Sequence, residues 1–154
     1  MTSRSKRPRA SRRSRVLNRQ RRLALRPDAL AGFADAVLDY LRRPGQAVAV
    51  MLVDDRMIQQ YNARYLGHER PTDVIAFPYP GEGPGDYLGD VLISVETAAA
   101  NARRYRLTPL REVKNLIIHG IIHLLGYDHT TDRGQMRRLE RRVRRAFHQR
   151  IKDG

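Results

Sequence analysis

Three of the chain's five histidines, His119, His123 and His129, fall within eleven residues. His119 and His123 stand four apart, so on a helix they project side by side, about 5 to 6 Å between Cβ atoms, and can share one ion. Gly126 suits the left-handed turn that often ends a helix, so the chain can fold back and bring in His129 as a third ligand. Three neutral imidazoles leave one position open on a tetrahedral zinc ion, which distinguishes a catalytic site from a closed structural one. Water in that position ionises near neutral pH. The sequence has no cysteine, so any metal must be held by imidazole and oxygen. One zinc ion per chain is the expectation. Core or cap histidines are the competing reading, which suits a single His better than three at helix and turn spacing. Asp128 is expected to orient a ligand as an outer carboxylate, or only to stabilise the turn.

The same spacing occurs in the extended helix of zinc proteases, with one difference. There a general-base Glu directly follows the first His. Here that position is Gly120. Without the carboxylate, peptide hydrolysis by that route lacks the group that takes the proton of water.

The elements that must position these residues can be read from the pattern. From Thr108 and Pro109 the residues Val113, Leu116, Ile117, Gly120 and Leu124 return to one helical face. Ile118, Ile121 and Ile122 extend the apolar cover, which predicts a central helix. A weak edge strand is expected within Val16 to Leu25. A helix opening at Pro27 and Asp28 buries Leu30, Phe33, Ala34, Val37 and Leu41, and Pro44 with Gly45 ends it. Ala47 to Val53 reads as a strand covered on both faces. Asp54 or Asp55 caps a helix in which Met57, Ile58, Tyr61 and Tyr65 share a face. Strands follow at Asp73 to Phe77 and Leu88 to Ser94, separated by a Pro/Gly loop, and Ser94 with Glu96 opens a helix to about Arg106. The last helix begins at Gln135, with Met136, Leu139, Val143 and Phe147 buried. The fold class is therefore α+β, a small mixed sheet packed with about five helices around a zinc-protease-like central one.

The net charge of +14 lies at the ends. Residues 1 to 26 hold eleven Lys or Arg and no acid. Residues 133 to 154 hold nine basic and two acidic residues, and 27 to 132 hold ten basic and fourteen acidic. A body of net −4 with two basic ends suits a polyanion, nucleic acid first, because each neutralised phosphate releases condensed counterions. On the last helix Arg137, Arg138, Arg141, Arg142, Arg144 and Arg145 face outward, a basic face for RNA contact on a helix that in any case docks on the core. Residues 1 to 14 carry like charge and little apolar content and read as a disordered basic arm before one domain over 15 to 154. The arm's Arg and Ser richness also resembles an organellar transit peptide, the lesser reading. No secretory signal and no membrane span is apparent, so a cytoplasmic protein without membrane association is expected.

The segment HGIIHLLGYDH, His119 to His129, resembles the signature of the YbeY family of bacterial endoribonucleases and rRNA maturation factors. LVDDRMIQQYN (Leu52 to Asn62), RPTDVIAFP (Arg70 to Pro78) and LGDVLIS (Leu88 to Ser94) agree in order, so the likeness runs over roughly residues 16 to 150. It implies a compact α+β fold, zinc on the three histidines and cleavage of single-stranded RNA. It also implies a role in maturing the 3′ end of small-subunit rRNA, with the small ribosomal subunit as partner. The chain departs from the family where an Arg that commonly follows the Tyr of the N-x-x-Y segment is Leu66. Arg64 and Arg70 flank that position as candidates to replace the cation, with surface charge the alternative reading of each. His68 is the candidate for proton transfer outside the metal motif, whereas His148 reads as surface. Thr72 and Asp73 line the cleft or open a strand through an Asx turn. A non-catalytic assembly factor with a structural zinc is the alternative that Leu66 raises, and a metalloprotease the lesser one.

Overall fold

The computed structural model describes residues 13–67, 72–79, 87–127 and 133–153. Four strands, β1 (Arg15–Asn18), β2 (Ala47–Val53), β3 (Val74–Pro78) and β4 (Tyr87–Ser94), form one sheet in the order β1-β2-β4-β3. β1, β2 and β4 run parallel, and β3 is antiparallel to β4 at the edge. Helix α1 (Pro27–Tyr40) makes the crossover from β1 to β2. α2 (Asp55–Tyr61), α3 (Val95–Tyr105), α4 (Pro109–Leu124), α5 (Gln135–Ala146) and α6 (His148–Lys152) complete the described elements. The sheet is mixed and the class is α+β, as the pattern predicts.

β2 is apolar throughout because both of its faces are covered. Val48, Val50 and Leu52 join Val91 and Ile93 of β4 in the main core with α1 and α4, while Val53 packs with Leu92, Ile75 and Ile58 of α2 on the other face. α4 lies at the centre of the larger core, with Ile117, Ile118, Ile121 and Ile122 fully buried. Thr108 caps it by accepting from the Arg111 backbone N–H at 3.3 Å, and Pro109 opens it. At Gly120 the helix lies close against β4 of the sheet. A Cβ there would lie 2.5 and 2.9 Å from the methyl carbons of Val91. The residue that argued against a protease base is thus required by helix–sheet packing, with no room for a carboxylate.

Three boundaries differ from the pattern. β1 stops at Asn18 instead of continuing toward Leu25, because Gln20 closes a turn: its side chain donates to Asn18 and to the Leu23 carbonyl and accepts from the Leu23 N–H. α2 ends at Tyr61 and passes into a π-helical turn, Asn62–Leu66, closed by Gly67. The last helix breaks at Phe147, whose ring is held edge-on by Phe33 and Tyr40, so α5 and α6 are separate and the described helices number six. Residues 1–12 lie outside the described residues. Arg13 and Ser14, the end of the expected arm, are held in place: both backbone N–H groups donate to Asp35, and the Ser14 hydroxyl accepts from Val48 N–H at 3.1 Å. Among the described residues no helix is long and apolar enough to cross a membrane.

Candidate metal centre

Glu112, Asn115, His119 and His123 recur at spacings of three and four along α4 and form a polar stripe on a helix whose C-terminal half is otherwise apolar. Apolar packing around the rest of α4 holds this stripe rigidly toward α5. His119 and His123 meet with their rings at 71° and centroids 4.6 Å apart, and their Nε2 atoms converge to 3.0 Å. Two imidazole nitrogens so close need a proton or a cation between them. Ligand nitrogens on a tetrahedral zinc ion, each about 2.0 to 2.1 Å from it, stand about 3.3 Å apart, so the pair fits that ion with a few tenths of an ångström of adjustment.

Behind His119 stands Glu140 of α5. Its Oε1 accepts a short hydrogen bond from His119 Nδ1–H, and its Oε2 lies 3.5 Å from the Arg144 guanidinium. A carboxylate on Nδ1 fixes the tautomer that leaves the Nε2 lone pair facing His123, the arrangement of carboxylate, histidine and metal seen in many metal sites. Sequence reasoning assigned such a role to Asp128 and passed over Glu140. A signal was present: Glu140 is the single acid in the arginine-rich run Met136 to Arg145, and in the structure it is largely buried where the arginines around it are exposed.

Asp128, His129, His68 and Arg70 lie outside the described residues, so their expected roles are not placed. Among the described residues no group of three His, Cys, Asp or Glu gathers to hold a metal. Arg64 is engaged elsewhere: its guanidinium lies 5.5 Å over the Tyr65 ring, beside a cleft lined by Met57, Gln60 and Tyr61. Leu66, in the same turn, is half exposed. Asp73 accepts from the Asn101 amide at 3.1 Å, and its carbonyl accepts from Ser94 N–H at 2.9 Å, which ties the start of β3 to β4 and α3. Its charge also reaches Glu112. Burial pushes the Glu112 carboxyl above its ordinary range; Arg144 draws it down and Asp73 up. Arg137, Arg138, Arg141, Arg142, Arg144 and Arg145 are all exposed on α5, as the periodicity predicts.

A family model described as Endoribonuclease YbeY matches residues 15–149. The protein named Endoribonuclease YbeY from Aquifex aeolicus is 42% identical over 118 residues, 75% of this chain and 78% of its own length. Its namesake from Syntrophotalea carbinolica is 39% identical over 139 residues, 86% of this chain and 91% of its own. Among solved structures, the solution structure of a Thermotoga maritima protein superposes with a TM-score of 0.62 at 24% identity. It covers 92% of this chain and 96% of that one, a likeness of fold.

Proposed function

The chain belongs to the YbeY endoribonuclease family, and from that premise we propose that it is a zinc-dependent endoribonuclease acting on single-stranded RNA. The observation that carries the reading is the convergence of the His119 and His123 Nε2 atoms, with Glu140 bonded behind His119. His119, His123 and His129 hold the ion, one per chain. Zinc in such a site supplies a Lewis acid for a phosphoryl oxygen and lowers the pKa of bound water. Glu140 keeps His119 in its ligating tautomer, and Asp128 serves beside His129. The exposed arginines of α5, Arg137, Arg138, Arg141, Arg142 and Arg145, hold the phosphate backbone, and the buried face of α4 excludes water from behind the site. Arg70 and Arg64 are the candidates to contact the scissile phosphate and His68 to move a proton. The substrate in the cell is ribosomal RNA of the small subunit, processed at its 3′ end during ribosome biogenesis in the cytoplasm.

Purified protein carrying one zinc ion is expected to cut single-stranded RNA, and His119→Ala to lose both metal and cleavage. Cleavage that persists after complete chelation would overturn the proposal. One observation favours a second reading, an assembly factor whose zinc is structural: the half-exposed Leu66 occupies the place of a family arginine, while Arg64 lies on Tyr65. On that reading chelation unfolds the protein and Leu66→Arg adds nothing to turnover. On the nuclease reading Leu66→Arg raises turnover.

A further inference from the structure

The C-terminal ends of α1 and α4 meet the outer side of α5 in a cleft of about 410 Å³ that the metal centre does not use. Such a volume is within the range of a small-molecule site. Three guanidinium groups, of Arg42, Arg43 and Arg142, line it together with two tyrosines, Tyr40 and Tyr127, each about two-fifths exposed, and among the described residues no acid is in its lining. Among the described residues none of these three arginines forms an ion pair. The carboxylate nearest Arg42 and Arg43 in sequence, Asp39, is already paired with Arg13 at 2.7 Å, and the one nearest Arg142, Glu140, is bonded to His119. The carbonyl ends of two helices bring partial negative charge here, about half an elementary charge each. Three full positive charges outweigh it. Arg42 adopts a left-handed φ of 59° in the turn that follows α1, and it and Arg43 both line the cleft.

The cleft adjoins the metal centre along both helices. Leu125, in its wall, follows His123 by two residues, and Leu139 precedes Glu140, so one side of α5 faces the histidine and the next side faces the cleft. Cations set among aromatic faces are what a single strand needs, with phosphates on the guanidinium groups and a base stacked on a ring. We infer that this cleft is a subsite for the RNA strand outside the scissile bond, taking about one nucleotide by its phosphate and its stacked base. The inference rests on the nuclease reading for the identity of the polyanion, and it adds residues of α1 and the α4 turn to the strand's path.

The test uses full-length zinc-loaded protein and a fluorescent, 2′-O-methyl RNA of about twelve nucleotides, near the span a small single-strand site covers. Binding is followed by anisotropy across a salt series. The combined variant Arg42→Gly, Arg43→Ala, Arg142→Ala removes the charges, and glycine at position 42 suits its left-handed backbone. It is expected to bind at least tenfold more weakly and to flatten the log–log salt slope by about 0.7, the change for the one phosphate of the bound nucleotide. The matching triple lysine variant, a control for folding, is expected to restore the slope. Tyr127→Ala is expected to weaken RNA binding several-fold while leaving the binding of inorganic polyphosphate unchanged. An unaltered slope in the first variant, or equal losses for RNA and polyphosphate in Tyr127→Ala, overturns the subsite. Failure of the parent reading is scored separately: wild type that binds this RNA through the cleft but cannot cut the unmodified strand removes the nuclease and leaves the subsite standing.

Discussion

α4 and α5 are joined by the pair His119 and Glu140, yet they are built on opposite principles. α4 buries eleven of its sixteen residues, including the polar Glu112, Lys114 and Asn115. α5 buries only Met136, Leu139 and Val143 and turns six arginines to solvent. Metal ligands must hold positions to a fraction of an ångström, and close packing on every side supplies that rigidity. On the proposed function a phosphate backbone would be held by long cations whose geometry can adapt, and the exposed face of α5 offers those. Glu140 belongs chemically to the first kind and by position to the second.

The largest expected effect breaks the link between the helices. Glu140→Gln keeps the shape but loses the carboxylate on His119 Nδ1, and zinc affinity measured by chelator competition should fall roughly 10- to 100-fold. Glu140→Asp should recover part of it, and an unchanged affinity would show that α5 plays no part in the metal centre. Next comes the rigidity of α4. Gly120→Ala gains about 1 kcal/mol of helix propensity but drives a methyl group into Val91, and overpacking at such a contact costs about 1 to 3 kcal/mol. Urea unfolding should show net destabilisation, relieved when Val91→Ala is added. Full additivity of the two substitutions would mean that the contact is not what makes position 120 a glycine.

The smallest effect concerns the polar stripe at the other end of α4. Burial raises the Glu112 carboxyl, so the native state holds its proton more tightly than the unfolded chain. Stability from this group is therefore fully present below the ordinary carboxylate range and is lost as pH rises through the raised value. Glu112→Gln, which carries no charge to desolvate, should melt higher than wild type near neutral pH, with an advantage that shrinks toward acid. An advantage that does not vary with pH would assign the difference to packing.

Where the sequence was most readable, local periodicity and local chemistry pointed the same way. Thr108 and Pro109 mark the start of α4, its apolar residues predict burial, and the four-residue step between His119 and His123 brings their rings together whatever the rest of the chain does. The arginine face of α5 follows from the spacing of Met136, Leu139 and Val143 in the same way. Boundaries were less legible when they depended on a partner distant in the chain. α5 ends at Phe147 because Phe33 and Tyr40 hold that ring, and β1 ends at Asn18 because the side chain of Gln20 closes the turn.

The pair of histidines, with its capacity for an ion, is a property of one helix and was settled within five residues of sequence. Its carboxylate partner was not, because Glu140 lies 21 residues away and only the packing of α5 on α4 turns one acid in an arginine run inward. Gly120 shows the same division. The sequence excludes a protease base by the absence of a side chain, whereas the approach of α4 to Val91 explains why none can be there. The cleft of Arg42, Arg43, Tyr127 and Arg142 was invisible for the same reason: its lining residues come from three separate segments, and only the tertiary fold sets them around one space.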